Sequence, residues 1–153
     1  MTAREIVQEL VYRAALTLDE GDFNGFLALC AEDLRYTIGA YSPEIRKPIT
    51  WLDADRTDLK TLFDTLPRHN SDHAPLARHV TVYTIEFRPD DGEAVVTSAL
   101  QVFRTALDGG ASELFAVGKI HDVVRVANGA GRLARRHIEL STRRLGIGSH
   151  IAF

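Results

Sequence analysis

Four side chains with acid, base or cationic chemistry fall in segments that the pattern predicts to be strands: Tyr36, His79, His121 and Arg136. A histidine titrates near neutral pH, which suits proton abstraction or dehydration. If the four side chains converge on the helix-facing side of one sheet, they form an acid–base pocket. No aspartate on the same predicted face is positioned to orient either histidine, as a general base normally requires. We therefore favour packing or interface roles for the histidines and predict no catalytic residue.

A second group of residues has the types needed for a metal site. His69, Asp72 and His73 supply two histidines and a carboxylate within five residues, the ligand set of a mononuclear iron. They lie in the proline-bounded stretch RHNSDHAP, where a solvated turn is the ordinary explanation, so we predict no metal site. A Rieske cluster needs two cysteines and two histidines, and the single cysteine of the chain, Cys30, excludes one here.

Arginines cluster toward the end of the chain, interleaved with Glu139. Clustered arginine can contact phosphates, but the net charge of −3 gives no general attraction for nucleic acid. Arginine is also favoured at protein interfaces, where its planar fork meets carboxylates. We therefore predict no nucleic-acid binding and assign an interface to Asp122, Arg135, His137, Glu139, Arg143 and Arg144.

The composition is that of an ordinary globular protein, with 153 residues, 45% hydrophobic and 25% charged. This length predicts one domain over residues 1–153. Charges at Arg4, Glu5 and Glu9 interrupt what would be the apolar region of a signal peptide, and no window approaches about 18 uninterrupted apolar residues. We expect a cytoplasmic protein that does not bind membrane.

Three helices are predicted in the first half of the chain. Apolar residues at i, i+3 and i+4 spacing predict the first helix over 3–19. Asp22 can cap a short second helix, and Asp53 or Asp55 can cap a third, which we expect to end before Pro67. Alternation predicts one strand at 33–41, followed by a loop from Ser42 to Pro48.

The second half reads as an antiparallel meander of four strands. Candidates at about 77–88, 93–107 and 113–127 precede a closing strand, with Asp91-Gly92, Asp108-Gly109 and Asn128-Gly129 between them. Such pairs favour two-residue hairpin turns. The element order predicts an α+β fold, in which the helices cover one face of a curved, mainly antiparallel sheet.

Two-residue turns at all three positions also predict the faces of the sheet. They place His79, His121 and Arg136 toward the helices and Asp122 opposite Arg135 on the other face. We expect that ion pair to shape a subunit interface. The apolar end of the chain, residues 145–153, is expected to dock onto a neighbouring chain.

Several short motifs resemble one known family. These are Gly21-Asp22-Phe23, the strand around Tyr36, Arg78-His79-Val80, the run GKIHDVVR from Gly118 to Arg125, and ARRHIEL from Ala134 to Leu140. Together they resemble the small (β) subunits of ring-hydroxylating, Rieske-type non-haem iron dioxygenases. The segment from Tyr41 to His73 is also similar to small subunits of methanesulfonate monooxygenase.

The resemblance implies a cystatin-like cone, shared with scytalone dehydratase and ketosteroid isomerase. It implies a non-catalytic subunit with no cofactor of its own, whose large (α) partner carries a Rieske cluster and a mononuclear iron. It also implies a homotrimer within a hetero-hexamer. Ser141 departs from the aspartate common in the family, which leaves room for a stand-alone relative, and two alternatives to the subunit stay open. One is a stand-alone dehydratase or isomerase with a histidine-lined pocket for a small hydrophobic or aromatic ligand; the other is a binding module without turnover.

Overall fold

The computed structural model describes residues 1–69, 73–142 and 152–153, apart from the side chains of 67–69. Three helices begin the fold: α1 (Ala3–Asp19), α2 (Phe23–Ala28) and α3 (Arg56–His69). Six strands follow or interrupt them: β1 (Cys30–Ser42), β2 (Lys47–Asp55), β3 (Leu76–Arg88), β4 (Glu93–Thr105), β5 (Ser112–Ala127) and β6 (Ala130–Leu140).

The first helix begins at the predicted residue, and α2 and α3 begin after capping residues that the sequence predicts. The Thr2 side chain and Glu5 form a reciprocal capping box at α1, and Asp22 accepts the Gly25 N–H at α2. The Asp55 carboxylate accepts the Asp58 N–H at the start of α3. The prediction that α3 ends before Pro67 is wrong, because α3 runs to His69. Among the described helices, none is long and apolar enough to cross a membrane.

The strands form one sheet in the order β2-β1-β6-β5-β4-β3. Only the β1–β6 pair is parallel among these neighbours; the others are antiparallel. The helices cover one face, and Phe26 of α2 meets Tyr36 of β1 edge-on. The prediction of an α+β cone with three helices on a mainly antiparallel sheet is confirmed.

One strand, β2, was not anticipated from the pattern. The chain from Ser42 to Pro48 is expected as a loop, yet Lys47 already pairs with Ser42 and the hairpin continues to Asp55. Pro48 is tolerated because β2 lies at the edge of the sheet, where a missing N–H breaks no central ladder.

The predicted turns are only partly right, and β-bulges change the faces. Asn128 and Gly129 have φ of 53° and 75° and form the two-residue turn expected between β5 and β6. The other two hairpins have four-residue loops, since Arg88 pairs with Glu93 and the Ala106 N–H donates to the Ala111 carbonyl. Further bulges interrupt β3, β5 and β6, near Tyr83, Phe115 and Ala134.

Each bulge moves the remaining side chains of its strand to the opposite face. Val124 pairs with Leu133, as the turn predicts, but Val123 pairs with Arg135 because Ala134 is the extra residue. Beyond that bulge Asp122 lies opposite Arg136. The predicted pairing of Asp122 with Arg135 is therefore wrong.

Candidate functional site

A buried polar cluster lies on the helix-facing side of the sheet. We use the name interior cluster for Tyr36 of β1, Asp122 of β5 and Arg136 of β6. The register brings them together, because Arg136 is paired with Tyr36 on one side and Asp122 on the other. All three are almost fully buried, with exposed fractions of 0%, 1% and 2%.

The Asp122 carboxylate and the Arg136 guanidinium form a two-point ion pair. Arg136 Nε donates to Asp122 Oδ1 at 2.8 Å and a terminal nitrogen donates to Oδ2 at 2.8 Å. Burial alone lowers the pKa of Arg136, but the Asp122 carboxylate outweighs it and raises the pKa above its usual value. Burial also raises the pKa of the Tyr36 hydroxyl to about 12. Neither group exchanges protons near neutral pH.

The main chain of Phe153 completes the interior cluster. The Tyr36 hydroxyl donates to the Phe153 main-chain oxygen at 2.5 Å and accepts the Phe153 N–H at 2.6 Å. The remaining Arg136 nitrogen donates to the same Phe153 oxygen at 3.2 Å. The Phe153 side chain belongs to the hydrophobic core. The expectation that the chain end docks onto a neighbour is wrong for Ala152 and Phe153, which are buried inside this chain.

The predicted acid–base pocket is not assembled. Tyr36 and Arg136 share the interior, as expected, but His79 and His121 project from the other side of the sheet. His79 pairs with Gln101, is exposed and packs edge-on against Phe103. His121 is displaced by the bulges of β5 and β6, and its side chain is 40% exposed. The placement of both histidines toward the helices is therefore wrong.

A second polar group lies on the side of the sheet away from the helices. We use the name outer face for Arg135, His137 and Glu139 of β6 together with His121 of β5. The two histidine rings stack with centroids 6.1 Å apart. His121 Nε2 lies 3.3 Å from Glu139 Oε2, and His137 Nδ1 lies 2.7 Å from the hydroxyl oxygen of Thr37.

The outer face holds three of the predicted interface residues but not Asp122. Arg135 and Glu139 are exposed and His137 is half-buried, which agrees with the placement predicted for them. Asp122 is buried against Arg136, so its assignment to a partner-facing surface is wrong. Arg143 and Arg144 lie outside the described residues.

The comparisons with known proteins agree with this architecture. The SnoaL-like domain family matches residues 1–137. The chain belongs to the SnoaL-like domain family. The expectation of a shared cone fold is confirmed for this SnoaL-like chain.

Two relatives of the SnoaL-like chain are oxygenase subunits. It is 42% identical to the beta subunit of methanesulfonate monooxygenase hydroxylase from Methylosulfonomonas methylovora, over 97% of this chain and 86% of that protein. It is 28% identical to subunit beta of 2-aminobenzenesulfonate 2,3-dioxygenase from Alcaligenes sp, over 95% of each. The resemblance to oxygenase small subunits is confirmed, including the one to methanesulfonate monooxygenase.

A solved structure with the same fold is named as the beta subunit of an aromatic-ring-hydroxylating dioxygenase from Novosphingobium aromaticivorans. It superposes with a TM-score of 0.78 at 18% identity, over 97% of this chain and 95% of that one. At this identity the likeness concerns the fold alone.

An open groove lies at the tip of the final hairpin of the SnoaL-like chain. Its volume is about 670 Å³, and Cys30, Asp33, Arg125 and Arg132 are among its lining residues. Arg125 neutralises Asp33 through hydrogen bonds of 2.6 and 2.8 Å. Burial raises the pKa of the Cys30 thiol to about 11, so the thiol stays protonated and is a poor nucleophile. Neither the Cys30 thiol nor the Asp33–Arg125 pair is therefore an activated group.

Metal ligands are not brought together in the part of the SnoaL-like chain that the structure describes, which has no group of three or more His, Cys, Asp or Glu suited to an ion. Asp72 lies outside the described residues, as does the side chain of His69. His73 is described and exposed.

Two features of the interior cluster were missed from the sequence. Asp122 is the partner of Arg136 only because of the bulge at Ala134, and no residue type at that position predicts a bulge. The burial of Phe153 has a weak signal, since the sequence ends in apolar residues. That signal indicates that the residue is buried but does not identify the side chains that contact it.

Proposed function

We propose that this chain is the non-catalytic small subunit of a multicomponent Rieske non-haem iron oxygenase. The observation that carries the proposal is the 42% identity, along 97% of the chain, to a protein named as a hydroxylase beta subunit. The prediction of an oxygenase small subunit is confirmed at this level by both curated relatives. A subunit named beta implies at least one further subunit, so a large (α) oxygenase chain is the partner.

The redox chemistry is proposed to lie in that partner. A Rieske cluster takes two cysteine and two histidine ligands, and this sequence has one cysteine, which is buried. We assign a Rieske cluster and a mononuclear iron to the large subunit. The assembly is proposed to work in the cytoplasm.

The interior argues against the stand-alone enzyme. The interior cluster has its hydrogen-bonding groups directed at one another and at Phe153, with a tyrosine and an arginine that hold their protons at neutral pH. His79 and His121, which would supply proton transfer, are separated from it by the sheet. A dehydratase or isomerase needs a base beside its substrate. The carboxylate of the interior cluster, Asp122, has both oxygens engaged by Arg136, so it is not placed to serve as that base.

The outer face is the proposed contact surface. Its charged side chains and histidine rings lie on the central strands β5 and β6, where a partner can cover them without disturbing the helices. Arginine and histidine are suited to such contacts because each can pair with a carboxylate and also stack. We propose that this surface supports a homotrimer beneath a large-subunit trimer. Arg143 and Arg144, outside the described residues, stay predicted interface residues.

Co-purification tests the proposal directly. A tagged chain expressed in its source organism is expected to bring down a larger protein that contains C-x-H and C-x-x-H pairs and gives the electron paramagnetic resonance signal of a reduced Rieske cluster. Native mass spectrometry is expected to give equal numbers of the two chains. A chain that purifies alone and turns over a small molecule by itself would contradict the proposal.

Charge reversal on the outer face tests the surface. Arg135→Glu and Glu139→Arg are expected to weaken assembly at least tenfold, measured as the dissociation constant of the large subunit or of the trimer. Arg13→Glu and Glu9→Arg are matched controls, since that exposed pair lies on α1 at the opposite side of the sheet. Equal effects from both pairs would show that net charge, not the outer face, controls assembly.

A further inference from the structure

The last two residues of the sequence are held by buried side chains in the manner of a bound peptide. The Tyr36 hydroxyl accepts the Phe153 N–H and donates to the Phe153 main-chain oxygen, and Arg136 donates to that same oxygen. Arg78 of β3 donates to the Ala152 carbonyl oxygen at 2.7 Å. The main chain of two residues therefore receives four hydrogen bonds from three side chains.

Each side chain that holds this segment is itself positioned by another group. Asp122 fixes two nitrogens of the Arg136 guanidinium, which leaves the third directed at Phe153. Asp19 of α1 accepts from the Arg78 side chain at 2.9 Å and from the Arg78 main-chain N–H at 3.0 Å. Second-partner bonds of this kind lower the entropy lost on binding, which is how binding sites are preorganised.

The chemistry of the contacts defines the occupant. Main-chain groups are recognised at two successive residues, so the site selects a dipeptide unit rather than a hydrocarbon alone. The buried Phe153 ring, 2% exposed, adds an aromatic requirement, and the buried Ala152 favours a small preceding residue. An open pocket of about 390 Å³ lies beside Arg78 and Ala152.

We propose that the interior of the cone is a binding site for an aromatic dipeptide unit, filled in cis by Ala152-Phe153, which accepts an added N-acylated aromatic dipeptide when those residues are removed. The proposal is independent of the oxygenase assembly, because every contact lies within this chain. Hydrogen bonds from Tyr36, Arg78 and Arg136 select the main chain of the dipeptide, and its aromatic ring supplies the apolar surface that is buried.

A deletion variant and a matched set of small probes test the site. In the full chain lacking only Ala152 and Phe153, Tm is expected to fall by about 10 °C, because a buried aromatic ring and four hydrogen bonds are lost. N-acetyl-Ala-Phe-amide at ten times its Kd is expected to raise Tm by about 3 °C. Toluene, which has only the ring, and N-acetyl-Ala-Ala-amide, which has only the main chain, are expected to raise it less than 1 °C at equal concentration.

The controls separate a binding site from plain core packing. Phe87→Ala, which removes an exposed ring from β3, is expected to leave Tm unresponsive to all three probes. Adding Tyr36→Phe to the deletion is expected to abolish the advantage of N-acetyl-Ala-Phe-amide over toluene. The proposal is overturned if the deletion leaves Tm unchanged. It is also overturned if the Tm of the deletion variant is raised equally by toluene and N-acetyl-Ala-Phe-amide, or by none of the probes.

A milder variant is available if the deletion does not fold. Phe153→Ala keeps the main chain in place and vacates only the ring position. At the concentration used for the deletion variant, Phe153→Ala is expected to gain less than about 1 °C from N-acetyl-Ala-Phe-amide, because the main-chain contacts are already taken. A rise in Tm as large as that of the deletion variant overturns the proposal.

Discussion

The Asp122 carboxylate and the Arg136 guanidinium face each other across β5 and β6 in the interior of the cone, joined by two hydrogen bonds of 2.8 Å. Removing two charges from water costs several kcal/mol for each, and their attraction offsets this only when the geometry satisfies both groups. Here the carboxylate binds two nitrogens and Phe153 takes the third. The attraction within the intact pair therefore offsets the desolvation cost. Removing one partner leaves the other charge buried without a counter-charge, which destabilises the fold.

Asp122→Asn is expected to lower the free energy of unfolding by about 3–5 kcal/mol, because it leaves the Arg136 charge buried without a counter-charge. Urea unfolding of the purified chain measures this loss. Asp33→Asn, at an exposed carboxylate paired with Arg125, is the matched control and is expected to cost much less. Similar losses in the two variants would contradict the role given to the buried pair.

Much of the fold follows from local signals in the sequence. Capping residues at Thr2 and Asp22 mark the beginnings of α1 and α2, and Asn128-Gly129 marks the last turn. These features depend on neighbouring residues in the chain, so a single sequence contains the information for them. The α+β class follows from their order.

The faces of the sheet could not be predicted because they depend on bulges. The extra residues near Phe115 and Ala134 each shift the register by one, and a shift of one exchanges the two faces. Neither position has a glycine or another distinctive residue. His121 and Asp122 exchanged faces for this reason, and the candidate site changed with them.

Gly118→Ala is expected to destabilise the chain by about 1–3 kcal/mol, the usual cost of overpacking. A Cβ at position 118 would lie 2.3 Å from the Glu139 carbonyl oxygen and 3.0 Å from the Leu140 Cα, and main-chain atoms of a central strand pair cannot move aside easily. Thermal unfolding measures the loss. The control is Lys119→Ala, at the exposed neighbouring position of β5. Equal stability of Gly118→Ala and the parent chain would show that β5 and β6 are not so closely spaced.

The Asp33–Arg125 pair is expected to add an acid-sensitive contribution to stability. The hydrogen bond from Arg125 holds the pKa of the Asp33 carboxyl below its ordinary value of 3.8. A lowered folded-state pKa stabilises the fold above pH 3.8, and that contribution is lost as the pH falls through the lower folded value. The urea midpoints of the parent chain and Asp33→Asn are therefore expected to differ at pH 6 and to converge below pH 3.8.

A double-mutant cycle identifies the partner in that effect. Arg125→Gln combined with Asp33→Asn is expected to cost no more than the larger single change, because both remove the same contact. A midpoint difference that persists unchanged into acid would contradict the assignment.

Cys30 is expected to be unreactive in the folded chain and to make the fold sensitive to alkali. Burial raises the pKa of its thiol to about 11, and the thiol donates to the Phe26 carbonyl at 3.3 Å. Above the ordinary value of 9.0 the unfolded chain releases this proton while the folded chain keeps it, so stability falls as the pH rises toward 11. Between pH 8 and 10 the free energy of unfolding is expected to drop by about 1 kcal/mol more in the parent chain than in Cys30→Ala. Labelling with a thiol reagent at pH 8 is expected to proceed at the rate of unfolding; fast labelling without denaturant would show that Cys30 is accessible from the groove beside Asp33.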